Sequence, residues 1–202
     1  MLDLAGYLVT QDLRRRMLPG EMGADDEFDG EIGEVGREVA GMFDRFTGRI
    51  LRRGVEMVFE AAADQPSITL PLYPVEEIHE VLLCDRHQET DVTGRIADVM
   101  RNSGVVRFDG APGGRRQHLK IKVTGGYHCP PGDVERPATA VELPADLLGA
   151  FIVQCRAVCE AENLFRQRGA RSADRAREGY DLTTLRMTPA AREVLTLYIA
   201  YS

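Results

Sequence analysis

Tryptophan is absent from this 202-residue chain, and lysine nearly so: of 25 basic residues only Lys120 and Lys122 are lysine, a bias of genome composition rather than mechanism. Four cysteines are too few to staple a small secreted scaffold. No apolar run approaches the roughly 18 residues that read as a membrane-crossing helix. The opening MLDLAGYLVTQDLRRRM sets its charges behind its apolar residues, without a secretory core and small-residue cleavage site. These absences predict a soluble chain that stays in the cytoplasm or joins an assembly made there. Catalytic signatures are missing too: there is no G-x-S-x-G elbow, no H-E-x-x-H, no G-x-x-x-x-G-K-S/T phosphate cradle and no cysteine in an activating context. The glycine pairs at 113–114 and 125–126 read as turns, and neighbouring acids such as Glu76 and Glu77 or Glu160 and Glu162 read as ordinary acidic surface. No catalytic residue and no cofactor is expected.

What is present suits one compact domain, or a domain with a subdomain and a tail, since 44% of the residues are hydrophobic and 28% charged. Charge is divided along the chain. Residues 1–110 carry 22 acidic against 12 basic side chains, net −10, and residues 111–202 carry 10 against 13, net +3. Two ends of opposite sign suit head-to-tail stacking of copies or docking on a charged partner better than they suit a nucleic-acid binder, which would show a dense basic face.

Hydrophobic periodicity orders the elements. Thr10 is placed to cap a short helix over 11–18, which Pro19 and Gly20 end; the acidic stretch 21–31 then reads as a loop. Ile32, Val35, Val39, Met42, Phe43, Phe46 and Ile50 recur at three and four, predicting a long helix over 31–53. The period then falls to two at Val55, Met57 and Phe59, and apolar runs at 68–72, 78–84, 105–108 and 119–123, separated by turn formers, predict a small, mostly antiparallel sheet. Residues 75–83 also allow a helical turn. Helical spacing returns after Pro144, through Leu147, Leu148, Phe151, Ile152, Cys155, Val158, Cys159 and Phe165 to Gly169. A polar, basic stretch over 166–179 follows, and Thr188-Pro189, a hydroxyl cap before a proline that needs no N–H, opens a last helix over 190–201.

Three constellations invite chemistry. Asp25, Asp26, Glu27, Asp29 and Glu31 offer hard oxygen ligands, yet lack the D-x-D-x-D-G spacing of a calcium loop. Cys84, His87, His128 and Cys129 are four zinc-type ligands in two clusters, the basis of an alternative reading as a metal-binding protein or enzyme. Arg166, Arg168, Arg171, Arg175 and Arg177 offer guanidinium groups to phosphates, the basis of a second alternative as a DNA-contacting packaging factor, although Asp174 and Glu178 interrupt them and no aromatics interleave.

The order of elements carries more than any motif. A long helix ends in Thr47-Gly48-Arg49-Ile50-Leu51, a Val-Glu-Met-Val-Phe-Glu strand follows, then Leu70-Pro71-Leu72-Tyr73-Pro74-Val75; later come Thr124-Gly125-Gly126-Tyr127 after a strand and Leu143-Pro144-Ala145-Asp146-Leu147 opening a helix. From about Val9 to Phe165 this arrangement resembles the head-tail adaptor (connector, head-completion) proteins of long-tailed bacteriophages and gene-transfer particles. The long loop over 126–143 and the tail after Gly169 depart from the shorter members. The resemblance implies a non-enzymatic virion protein: a homo-oligomeric ring, usually twelvefold, assembled in the bacterial cytoplasm. It would bind beneath the portal protein of a DNA-filled capsid and offer a platform to a neck or tail stopper protein. DNA would pass through its lumen without sequence-specific binding, and no membrane would be involved. Members commonly send a C-terminal segment into the portal.

The expected fold is α+β: a helical bundle from 1–54 and 144–169, a β-rich insertion over 55–143, and a C-terminal arm over 170–202. On that arm Leu185, Met187, Leu195, Leu197, Tyr198 and Tyr201 are the candidate portal-docking anchors, in helix-in-groove fashion.

Overall fold

The computed structural model describes residues 4–18, 26–86, 88–129, 136–161 and 187–199. The fold is α+β, and the chain divides into two compact units. The first contains 1–46, 130–134 and 144–198; the second contains 47–129, 135–143 and 199–202.

The first unit is helical. A short hairpin of β1 (Leu4–Ala5) and β2 (Leu8–Val9) leads into α1 (Thr10–Met17), followed by α2 (Asp29–Thr47), α3 (Ala145–Ala161) and α4 (Pro189–Thr196). Thr10 does not cap α1: Val9 holds the cap position with no side-chain bond, and Thr10 is buried in the first turn. The long helix ends six residues earlier than its periodicity predicts. Gly48 takes φ +66°, the left-handed conformation that stops helices at little cost to glycine, so Ile50 leaves the helical stripe. Tyr7, Phe43 and Phe151 are wholly buried and meet as one aromatic cluster, with Tyr7 and Phe151 centroids 4.8 Å apart and Phe43 edge-on to Phe151 at 6.1 Å. Gly6 makes that approach possible: at φ +69°, a Cβ there would lie 2.4 Å from the Gly36 carbonyl oxygen and 3.0 Å from the Phe151 ring. Arg14, almost fully buried, is paid off electrically by Asp29 at 2.5 Å, so one carboxylate of the acidic stretch serves as its counter-ion.

The second unit is a pair of antiparallel sheets. One has the order β3-β9-β5-β6, with β3 at Gly54–Ala62, β5 at Val75–Asp85, β6 at Gln88–Asp91 and β9 at His118–Gly125. The other has the order β4-β8-β7, with β4 at Ser67–Thr69, β7 at Ile96–Met100 and β8 at Val105–Phe108. Residues 75–83 are therefore strand, with no helical turn. Leu119, Ile121 and Val123 of β9 are fully buried against Val81, Ile68, Val106 and Phe108, which makes one apolar core between the sheets. A parallel pair, β10 (Tyr127–His128) with β11 (Val141–Glu142), completes the unit.

Candidate assembly surfaces

The expected docking residues sit in and around α4. Thr188 caps it as its sequence predicts, its hydroxyl accepting from the Ala191 N–H at 3.3 Å, with Pro189 following. The Thr188 N–H donates to Gln154 Oε1 of α3 at 2.7 Å, and the Tyr198 hydroxyl donates to Asp146 Oδ1 at the start of α3 at 2.8 Å. Ala191 and Leu195 are wholly buried. Leu195, expected as an anchor for a partner, is thus packed into the chain's own helical unit, where burial of its side chain holds an eight-residue helix too short to persist alone. Leu197 is the described anchor that stays open, 76% exposed. Met187 and Tyr198 are half-buried; Leu185 and Tyr201 lie outside the described residues.

A second organised region lies at the entry of β3 in the sheet unit, and sequence reasoning did not single it out. The buried Arg49 guanidinium stacks over the Tyr73 ring, 3.3 Å from its centroid, and donates from Nη2 to the Tyr73 carbonyl; Tyr127 lies 5.6 Å away. Burial pushes the Tyr73 hydroxyl's pKa up, against the pull of Arg49. Nearby, Arg53 forms a two-pronged pair with Glu76, Nε to Oε2 at 2.7 Å and Nη2 to Oε1 at 3.0 Å, and Thr139 Oγ1 donates to Glu76 at 2.5 Å. The Arg53 hydrogen bonds hold the Glu76 carboxyl below the usual carboxylate range, more than burial raises it. These contacts pin the strand entry to the 139–143 segment. The only hint in the sequence was the T-G-R and Y-P-V phrases, which mark turns.

The outer face of the four-stranded sheet carries both lysines of the chain. Lys122 meets Glu56 at 2.7 Å and Lys120 meets Glu89 at 2.5 Å, each hydrogen bond drawing its carboxylate's pKa down. Such half-exposed cross-strand pairs set register more than they add stability.

The zinc-type group does not come together. Cys84 lies opposite His118 at the start of β9, while His128 and Cys129 lie past the far end of that strand, which itself spans roughly 23 Å. Cys84 is buried, which pushes its thiol up, and His87 lies outside the described residues. Among the described residues no three His, Cys, Asp or Glu side chains are grouped as metal ligands. Cys155 and Cys159 are buried on the core stripe of α3, and burial raises the Cys155 thiol well above its ordinary value. The arginines at 166–177 and the acids at 21–25 lie outside the described residues. No described helix is long and apolar enough to cross a membrane.

No protein-family model and no curated protein sequence matches the chain. Several chains of solved structures match its fold, two of them from gene-transfer particles. One is a chain in the virion of a native gene transfer agent (GTA) particle, with 17% identity, TM-score 0.59, and 98% of this chain aligned to 92% of that one. The other is a chain in the neck of an empty GTA particle computed with C6 symmetry, with 17% identity, TM-score 0.62, and 100% of this chain aligned to 94% of that one. The chain therefore shares its fold with chains found in gene-transfer particles.

Proposed function

We propose that the chain is a structural subunit of a head-tail adaptor ring, joining the portal of a DNA-filled capsid to the neck or tail of a phage-like gene-transfer particle. The observation that carries this reading is the end-to-end likeness to a chain of a particle neck, over 100% of this chain and 94% of that one. The order of helix, β-rich insertion and returning helix, read independently from the sequence, supports the same assignment. In this role the chain performs no catalysis. It forms a ring, for which twelve copies accord with the sixfold symmetry of that neck, and DNA passes through the lumen without sequence-specific contact.

The portal contact is assigned to the C-terminal region. Leu197, exposed, would enter a partner's groove together with Leu185, Met187 and Tyr201 of the same arm, while Leu195 and Tyr198 hold α4 on α3. The downstream neck or stopper protein meets another face of the ring. The test is the mass of the purified chain by light scattering after size exclusion, alone and mixed with its particle's portal. A monomer that co-elutes with the portal in ring stoichiometry is expected; a chain that ignores the portal overturns the assignment.

A further inference from the structure

The two edges of the four-stranded sheet are built differently. β6 is four residues long, entirely polar and exposed, with Glu89 and Asp91 on it. Short, charged edges are how sheets avoid unwanted partners. β3 is nine residues long and, among the described residues, pairs with β9 on one side only. It holds no proline and no lysine, and its single bulge lies at its start, between Gly54 and Met57, leaving 57–62 regular. Its apolar side chains are incompletely covered on both faces. Val55 and Val58 are 61% and 59% exposed, and Met57, Phe59 and Ala61, although directed at the core, stay only half-buried beside fully buried Leu119, Ile121 and Val123. A long, regular, apolar edge of this kind is a template for another chain.

Charge selects what covers it. Antiparallel pairing of β3 with its own copy about Val58 would set Glu56 against Glu60 twice, and pairing with a neighbour's β6 would lay the same acidic strand beside Glu89 and Asp91, with one glutamate directly opposite an acid. Like charges directly opposite each other destabilise strand pairs. Within one copy Lys122 is already engaged by Glu56 and Lys120 by Glu89, so Glu60, across from Lys120, is only partly compensated. The complement is carried by the same unit on its loops. Asp85, Arg86, Gly114, Arg115, Arg116 and Gln117 line an open recess of about 420 Å³, with three arginines against Asp85 in the lining and Asp64 beside it, 3.9 Å from Arg115 Nε. Asp85 is committed locally, accepting from the Arg86 N–H at 2.6 Å and from Gln117 Nε2 at 3.4 Å. Arg95 donates to the carbonyls of Asp109, Ala111 and Pro112, which fixes the loop that presents Arg115 and Arg116.

We infer that the β3 edge is the lateral docking surface for a second copy of this chain, received at that copy's arginine-bearing 85–86 and 114–117 loops. Two different surfaces of one chain then meet, a heterologous contact that repeats around a ring, whereas a symmetric β3 pair would stop at a dimer. The inference rests on the adaptor-ring reading. The test places a photo-crosslinking residue at position 58 of the full-length chain, alone and with portal, and maps the adducts by mass spectrometry. Adducts of dimer mass and above, joining position 58 to 85–86 or 114–117 of another copy, are expected. Glu60→Arg is expected to cut their yield about tenfold, and Glu60→Arg with Arg116→Glu to restore it. Both variants are read only after their unfolding midpoints match the parent. Adducts that join β3 to β3, adducts elsewhere, or none in either condition overturn the docking surface. Portal co-elution is scored separately, so a bound portal without these adducts sinks the surface and leaves the adaptor reading standing, and the reverse result does the opposite.

Discussion

Leu195 and Leu197 stand two residues apart on one short helix and its end, and the structure assigns them opposite duties that a pair of alanine substitutions separates. Leu195 is wholly buried and Leu197 is 76% exposed. Truncating a buried leucine costs about 2–5 kcal/mol, the lost transfer energy plus the cavity left behind. Here the loss has a ceiling, because α4 opens when its docking energy is exhausted. That energy is about 2–3 kcal/mol from Leu195 plus about 0.5–1.5 kcal/mol for each of the hydrogen bonds to Gln154 and Asp146, the exposed Tyr198 bond at the low end. Leu195→Ala should therefore cost about 2–5 kcal/mol in urea unfolding, capped by that docking energy of about 3–5 kcal/mol, and loosen the α4 amides. The Arg192 N–H, bonded to the Thr188 carbonyl, should then exchange far faster than in the parent. Leu197→Ala should shift stability by less than about 0.5 kcal/mol while weakening portal co-elution. Equal, small stability losses in both variants would show that α4 is a free arm and that its packing on α3 is not populated in solution.

Three further outcomes follow from named contacts. Gly6→Ala should destabilise by more than about 1 kcal/mol, read as a lowered thermal midpoint, because φ is +69° and the new Cβ would meet the Gly36 carbonyl. Gly48→Ala should cost roughly 1–2 kcal/mol through the left-handed cap alone, a smaller loss in the same scan. Glu76 titrates lower folded than unfolded, so the Arg53 pair contributes stability above the ordinary carboxylate pKa, and that contribution is lost as pH falls through the folded value. Unfolding midpoints measured from pH 7 down to about pH 3 should therefore fall more steeply for the parent than for Glu76→Gln, and parallel curves would remove the pair from the account.

The helices and the core strands were legible because burial writes a period into sequence. The alternation at Met57 and Phe59 and the run at 119–123 became β3 and β9, and Thr188-Pro189 opened α4 as its cap chemistry requires. The misplaced boundaries have local causes. Ile50 continued the three-and-four spacing past Gly48, and periodicity does not register a glycine that turns left-handed. β6, with the sequence Gln-Glu-Thr-Asp, has no apolar residue to reveal it, since a polar edge strand exists only through its pairing with β5. The Arg49 stack on Tyr73 joins residues 24 apart and leaves no pattern in either segment.

The same limit bears on assembly. A sequence shows that Val55 and Val58 are apolar, but their meaning depends on which strand is an edge, and that follows from the order β3-β9-β5-β6, in which β3 pairs with the strand of the sheet furthest from it in sequence. Once the order is known, the asymmetry between a blunted β6 and an open β3 becomes a statement about partners. The division of charge read along the chain places most acids in the first 110 residues, yet the surfaces that matter for a ring cut across that division. Arg86 lies in the acidic half and joins Arg115 and Arg116 from the basic half at one end of one sheet. Glu56 and Glu60 lie on the edge of the same sheet. Head-to-tail contact between copies thus requires no separation of the chain into charged halves, because one small unit already presents an acidic, apolar edge and a basic loop in different places.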